Sequence, residues 1–75
     1  MRIMYIGPDI KGVVRKNEIF TYMPKEVIAL AGRIYGPSME LFVSMDNIVE
    51  KRREVNRPGS PLSLIYQITE RNTRR

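Results

Sequence analysis

Leu62-Ser63-Leu64-Ile65-Tyr66-Gln67-Ile68-Thr69 is the stretch on which the fold turns. Leu62, Leu64, Tyr66 and Ile68 alternate with Ser63, Ile65, Gln67 and Thr69, and a period of two puts the first set on one face of a β-strand. The preceding Arg57-Pro58-Gly59-Ser60-Pro61 has the composition of a loop that ends one element and admits the next. The pattern therefore predicts a closing strand over 62–69. Ile65 is then the one apolar residue on its polar face, free to meet another element or another chain.

Working back from that strand, Asp46 and Asn47 are good helix N-caps, and Asn47 with Glu50 three residues on has the spacing of a capping box. The helix that follows offers only Ile48, Val49 and Val55 to a core, so it belongs on the rim. Glu40 to Met45 alternates, with Leu41, Val43 and Met45 on one side, which predicts another strand. Pro24 suits the first turn of a helix, and Val27, Leu30, Ala31 and Ile34 share one face at i, i+3, i+4, i+7. Gly36-Pro37 supplies a left-handed cap and a stop, so that helix ends between Gly32 and Gly36. Val13-Val14-Arg15 and Glu18-Ile19-Phe20-Thr21-Tyr22 flank Lys16-Asn17 as a hairpin, Asn17 tolerating positive φ better than most residues. Arg2 to Ile6 lacks clean alternation and is bounded by Gly7-Pro8-Asp9, which predicts a first strand covered on both faces at the sheet centre. The expected architecture is α+β: a small, mostly antiparallel sheet of four to five strands with two short helices, in the order β-β-β-α-β-α-β. Residues 1–69 form one domain and 70–75 a disordered basic tail.

The chain has 75 residues, 43% apolar and 28% charged, the balance of a folding globular domain. It has no cysteine and no histidine, which removes disulfides, thiolate metal sites, a cysteine nucleophile and the commonest general base. A single core of this size rarely supplies more than about 3–5 kcal/mol. With those staples excluded, association with other chains becomes the natural aid. No apolar run exceeds Val27–Ala31, far short of a membrane span.

Thirteen basic against eight acidic residues give a net charge of +5, which raises a nucleic-acid reading. Its candidate contacts are Lys51, Arg52, Arg53 and Arg57 on the second helix, with Arg71, Arg74 and Arg75 in the tail. Against it, Glu50 and Glu54 are interleaved with those helix cations and the net charge of Asp46 to Arg57 is only +1, so a solvated face is the simpler reading. Tyr5, Phe20, Tyr22, Tyr35, Phe42 and Tyr66 show no spacing characteristic of a single-strand binder. The carboxylates fall at turns, caps and helix faces, no pair recommends itself for acid-base work, and neither a catalytic residue, a metal site nor a cofactor is expected. Five methionines suit core filling or adaptive contacts. Met4, Met23, Met39 and Ile65 are the candidate protein interface.

Gly12-Val13-Val14 through Glu18-Ile19-Phe20, then Pro24-Lys25-Glu26-Val27-Ile28, then Glu40-Leu41-Phe42-Val43, resembles small proteins encoded among phage and prophage head genes, including the amino-terminal domains of Mu-like prophage proteins. The resemblance covers residues 2–45 and departs at Asn17, where glycine is more usual, and in the longer Gly32 to Met39 connection. It implies a non-enzymatic virion structural or assembly component, in the head, neck or an accessory position, acting by contact with itself or other virion proteins in the host cytoplasm or the particle. A small basic nucleic-acid-binding module is the alternative.

Overall fold

The computed structural model of the chain describes residues 1–73. Three short strands, β1 (Ile3–Tyr5), β2 (Ile19–Phe20) and β3 (Phe42–Ser44), form an antiparallel sheet in the order β2-β1-β3. Three α-helices accompany them: α1 (Lys25–Ile34), α2 (Ile48–Asn56) and α3 (Pro61–Thr73). Gly36–Leu41 and Met45–Asn47 are 3-10 segments. The class is α+β, but the expected four to five strands and two helices are replaced by three strands and a larger helical share.

β1 takes the central place that its unbroken apolar run requires, and Ile3, Met4 and Tyr5 are all buried. Ile3 lies opposite Phe20 and Ser44, Met4 opposite Ile19 and Val43, and Tyr5 opposite Phe42. Directly opposed residues point to the same side of a sheet, so Ile3, Tyr5, Phe20 and Phe42 share one face while Met4, Ile19 and Val43 share the other. Phe42 joins the first face together, its ring centroid 4.8 Å from that of Tyr5 and 6.4 Å from that of Phe20.

The hairpin expected over Val13–Tyr22 does not form. Val14 turns back on Ile10 in an isolated bridge, with Gly12 at φ +79° making the tight loop. The next turn, Arg15 to Glu18, is closed by Glu18 N–H to the Arg15 carbonyl (3.1 Å), with Asn17 at φ +67° in its third position. Asn17 N–H then donates to the Tyr5 carbonyl (2.7 Å) while Tyr5 N–H donates to the Glu18 carbonyl (2.9 Å). Two residues thus oppose one, a G1-type bulge with asparagine in the usual glycine place. An isolated two-stranded hairpin is marginal in water; pairing Ile19–Phe20 with β1 instead gives the apolar central strand a neighbour on that side.

The decisive stretch is helical. Ser60 caps α3: its Oγ accepts from the Ser63 N–H (3.1 Å) and donates to the Glu54 carbonyl, tying the end of α2 to the start of α3. Pro61 fills the first helical position, where a missing N–H costs nothing. Leu62, Ser63 and Thr69 are buried, and Ile65 and Tyr66 pack against the core, whereas Leu64 is exposed. The segment satisfies i, i+3, i+4, i+7 through 62, 65, 66 and 69 as well as it satisfies alternation, and the cap selects the helix. The disordered tail expected from Glu70 is also corrected, because Glu70 to Thr73 continue α3, and Asn72 Nδ2 donates to the Ile34 carbonyl at the end of α1 (3.2 Å). Arg74 and Arg75 lie outside the described residues.

α1 begins after Pro24 and ends at Ile34, within the expected limits. Its stop is Tyr35 in extended conformation rather than a left-handed Gly36, which instead opens the next 3-10 segment with Pro37 in its first turn. Ala31 is buried and Val27 and Ile34 reach the core, but Leu30 is exposed. α2 sits on the rim with no buried residue. Asn47 makes no side-chain cap; Ser44 Oγ accepts from the Asp46 N–H (3.2 Å) and starts the 3-10 turn that leads into α2.

Tyr5 and Leu41, both fully buried, close over Gly7. The Tyr5 hydroxyl donates to the Pro8 carbonyl (2.7 Å). Burial raises the Tyr5 phenol pKa well above the usual tyrosine range, with Tyr66 and Asp9 adding to the effect. Ser38 and Thr69 are buried with hydroxyls that find no hydrogen-bond partner among the described residues.

Candidate interaction surfaces

The bulge determines what the free edge of β2 presents. Tyr5 directs both its backbone groups at β2, so the alternation of an antiparallel ladder makes Ile3 and Phe20 the hydrogen-bonded pair. The N–H and C=O of Ile19 therefore point away from β1, along the outer edge of the sheet. Beside them Ile19, Tyr22 and Met23 are 49%, 62% and 45% exposed, three large side chains within five residues. Tyr22 is held edge-on against Phe20, with ring centroids 6.0 Å apart. A shallow hollow of about 330 Å³ continues the surface along Tyr22 to Val27 at the start of α1.

Of the interface residues expected from sequence, Met23 belongs to this edge and Met39 is exposed separately on the 3-10 segment Gly36–Leu41. Met4 is corrected: it is buried in the central strand, and its sulfur accepts from Arg52 Nη2 (3.1 Å). Ile65 packs against the core from α3, not on an outer sheet face, because the strand that would have turned it outward is a helix. Ile19 and Tyr22 were missed; both lay in a segment expected to pair within a hairpin, which hides an edge.

The basic residues do not form one patch. Lys51 is half-buried and Arg53 is exposed on α2, while Arg57, expected on the same helix, is exposed in extended conformation just past its end. Arg52 turns to the sheet, where Nη2 donates to Asn17 Oδ1 (3.0 Å) as well as to the Met4 sulfur. Arg71 is exposed in the last turn of α3. The expected contacts Arg74 and Arg75 lie outside the described residues. On the far side of the turn, Lys16 Nζ donates to the Tyr66 hydroxyl (3.1 Å) and its N–H donates to Asp9 Oδ1 (2.6 Å). The Lys16-Asn17 turn is thus held between α3 and α2.

Among the described residues, no three His, Cys, Asp or Glu side chains gather to hold a metal ion, and no helix is long and apolar enough to cross a membrane. Comparison with protein-family models, curated proteins and solved structures finds no match.

Proposed function

We propose that this chain works by protein-protein contact, without catalytic chemistry of its own, and that it associates with further copies of itself through the free edge of β2. The observation that carries the reading is the coincidence of an outward-facing backbone donor and acceptor at Ile19 with the exposed Ile19, Tyr22 and Met23 side chains. Natural edge strands are commonly blunted by a lysine, a proline or a covering loop; β2 itself contains neither lysine nor proline, among the described residues no strand pairs with its outer side, and Pro24 comes only after the exposed group. A copy related by a twofold axis would lay Ile19 antiparallel to Ile19, with the two Tyr22 rings flanking the join. The shortage of core in a chain of this length favours the same arrangement. The proposed setting, a small head, neck or accessory component of a phage or prophage particle, rests on the resemblance of residues 2–45.

Sedimentation velocity from micromolar to millimolar protein tests the contact. The wild type should gain mass with concentration, and Ile19→Lys, which places a charge on the edge while leaving the core alone, should remain monomeric with an unchanged circular dichroism spectrum. A wild type that stays monomeric throughout, or an Ile19→Lys variant that associates equally well, refutes it.

A further inference from the structure

We propose that the hollow between the Arg15–Glu18 turn and α2 binds a phosphate group. About 190 Å³ in volume, it is lined by Ile6, Lys16, Asn17, Arg52, Val55 and Asn56. Arg52 is fixed there through one nitrogen, Nη2, which reaches Asn17 Oδ1 at 3.0 Å and the Met4 sulfur at 3.1 Å. Both acceptors are neutral, so they orient the guanidinium without cancelling its charge. Arginine carries five N–H donors in a planar fork that matches phosphate oxygens, and among the described residues the donors on its other nitrogens meet no partner and are left for a ligand. Asn56, one helical turn beyond Arg52, adds a polar amide to the same lining. Ile6 and Val55 give the hollow an apolar wall, which strengthens a charge interaction beside it.

The turn itself supplies a second argument. Asn17 occupies a left-handed backbone position that glycine fits with less strain. Glycine has no oxygen to hold Arg52, and asparagine does. Asparagine therefore meets the backbone requirement of the turn and at the same time orients a cation in the hollow. Lys16 contributes less, because its ammonium is drawn to Tyr66 in an adjoining hollow that Asp9 and Glu70 also line. Arg52 is the anchor.

Phosphate can arrive free, on a small molecule, or in a nucleic-acid backbone, and the test separates these. Nitrogen-15 NMR titrations of the full chain at low ionic strength, one with inorganic phosphate and one with oligodeoxythymidylate, should each move the amides of Asn17, Arg52 and Asn56 saturably. Asn56→Asp sets a carboxylate at the hollow while keeping both contacts of Arg52, and should weaken phosphate about tenfold or more, equivalent to at least about 1.4 kcal/mol. Arg52→Lys, which keeps the charge and loses the fork, should weaken it as well. Oligonucleotide binding much tighter than phosphate, and falling steeply with salt, identifies a nucleic-acid backbone as the source; comparable or weaker binding identifies a free or small-molecule phosphate. The proposal is overturned if phosphate gives no saturable shift, if Asn56→Asp binds it like the wild type, or if the shifts centre on Arg53 and Arg57 instead.

Discussion

Replacing Gly7 by alanine tests the core more sharply than any other single change. A Cβ at that position falls 2.5 Å from the Tyr5 hydroxyl oxygen and 2.6 Å from both Tyr5 Cζ and Leu41 Cδ1, against a comfortable carbon separation of about 3.5–4.0 Å. Neither neighbour has an easy retreat, because Tyr5 and Leu41 are fully buried and the Tyr5 hydroxyl is bonded to the Pro8 carbonyl at 2.7 Å. Overpacking of this kind costs about 1–3 kcal/mol, while a core of this size supplies about 3–5 kcal/mol in all. Gly7→Ala therefore removes from about a fifth to all of the stability. With a urea slope of about 1 kcal/mol per molar, the unfolding midpoint followed by circular dichroism should fall by about 1–3 M. Gly32→Ala is the internal control: it lies in α1, where among the described residues nothing beyond its own chain neighbours and helix backbone comes within 4 Å of the new methyl, and the helix should gain about 0.5–1 kcal/mol. Tyr5→Phe removes the closest clashing atom, so the double variant with Gly7→Ala should be less destabilised than the sum of the two, by about 0.5 kcal/mol or more. A Gly7→Ala midpoint equal to wild type refutes the packing argument.

Three further outcomes follow from single groups. At Asn17, alanine loses both the tolerance of positive φ and the oxygen that holds Arg52, whereas glycine loses only the oxygen; Asn17→Ala should be the less stable by about 1 kcal/mol in urea melts. Thr69→Val removes a fully buried, unpartnered hydroxyl at nearly constant shape, and should raise the urea midpoint, equivalent to about 1 kcal/mol. Tyr5 has its phenol pKa raised in the fold above the unfolded value of 10.0, so the native state holds this proton more tightly. Its contribution is complete below about pH 10 and is lost as pH rises toward the native value; tyrosinate absorbance should differ between wild type and Tyr5→Phe only where the fold is lost.

Local patterns carried the parts of this fold that local physics decides. The central place of β1 was legible because the four consecutive apolar residues Ile3 to Ile6 need cover on both faces, and α1 was legible because Pro24 and a 3.6-residue period agree. The stretch over 62–69 obeyed two periods at once, so periodicity could not arbitrate. The arbiter is Ser60-Pro61, a cap followed by a proline in the first helical position, whose composition matches a loop equally well. The failed hairpin has another cause. Val13-Val14 and Ile19-Phe20 are both β-favouring, and nothing nearby in sequence says that the second pair prefers β1. At the surfaces, the tolerance of Asn17 for positive φ could be read from its side chain, but its bond to Arg52 spans 35 positions and leaves no local trace. Met4 was misplaced for a related reason, since a methionine looks the same at an edge and in a core until the strand order is known.

The two surfaces share one origin in the Arg15–Glu18 turn. Had Val13–Arg15 paired with Glu18–Tyr22, the edge of β2 would be covered and Asn17 would sit at a hairpin tip away from α2. The bulge at Asn17 and Glu18 instead carries the chain onto β1, which turns the asparagine side chain to Arg52 on one side and leaves the Ile19 backbone open on the other. The Glu18 carboxylate is turned back to the Arg15 N–H (3.0 Å), so the acidic residue next to Ile19 is engaged within the turn. The open edge is nevertheless short: β2 has two residues, Thr21 and Tyr22 bend away, and Pro24 ends any extension. A contact built on so small an edge depends on Tyr22 and Met23 for its area and falls among small interfaces, below about 1,200 Å² and weak or transient when isolated. Association through this edge should therefore strengthen steeply wherever many copies are held together, because linked contacts multiply where single ones dissociate.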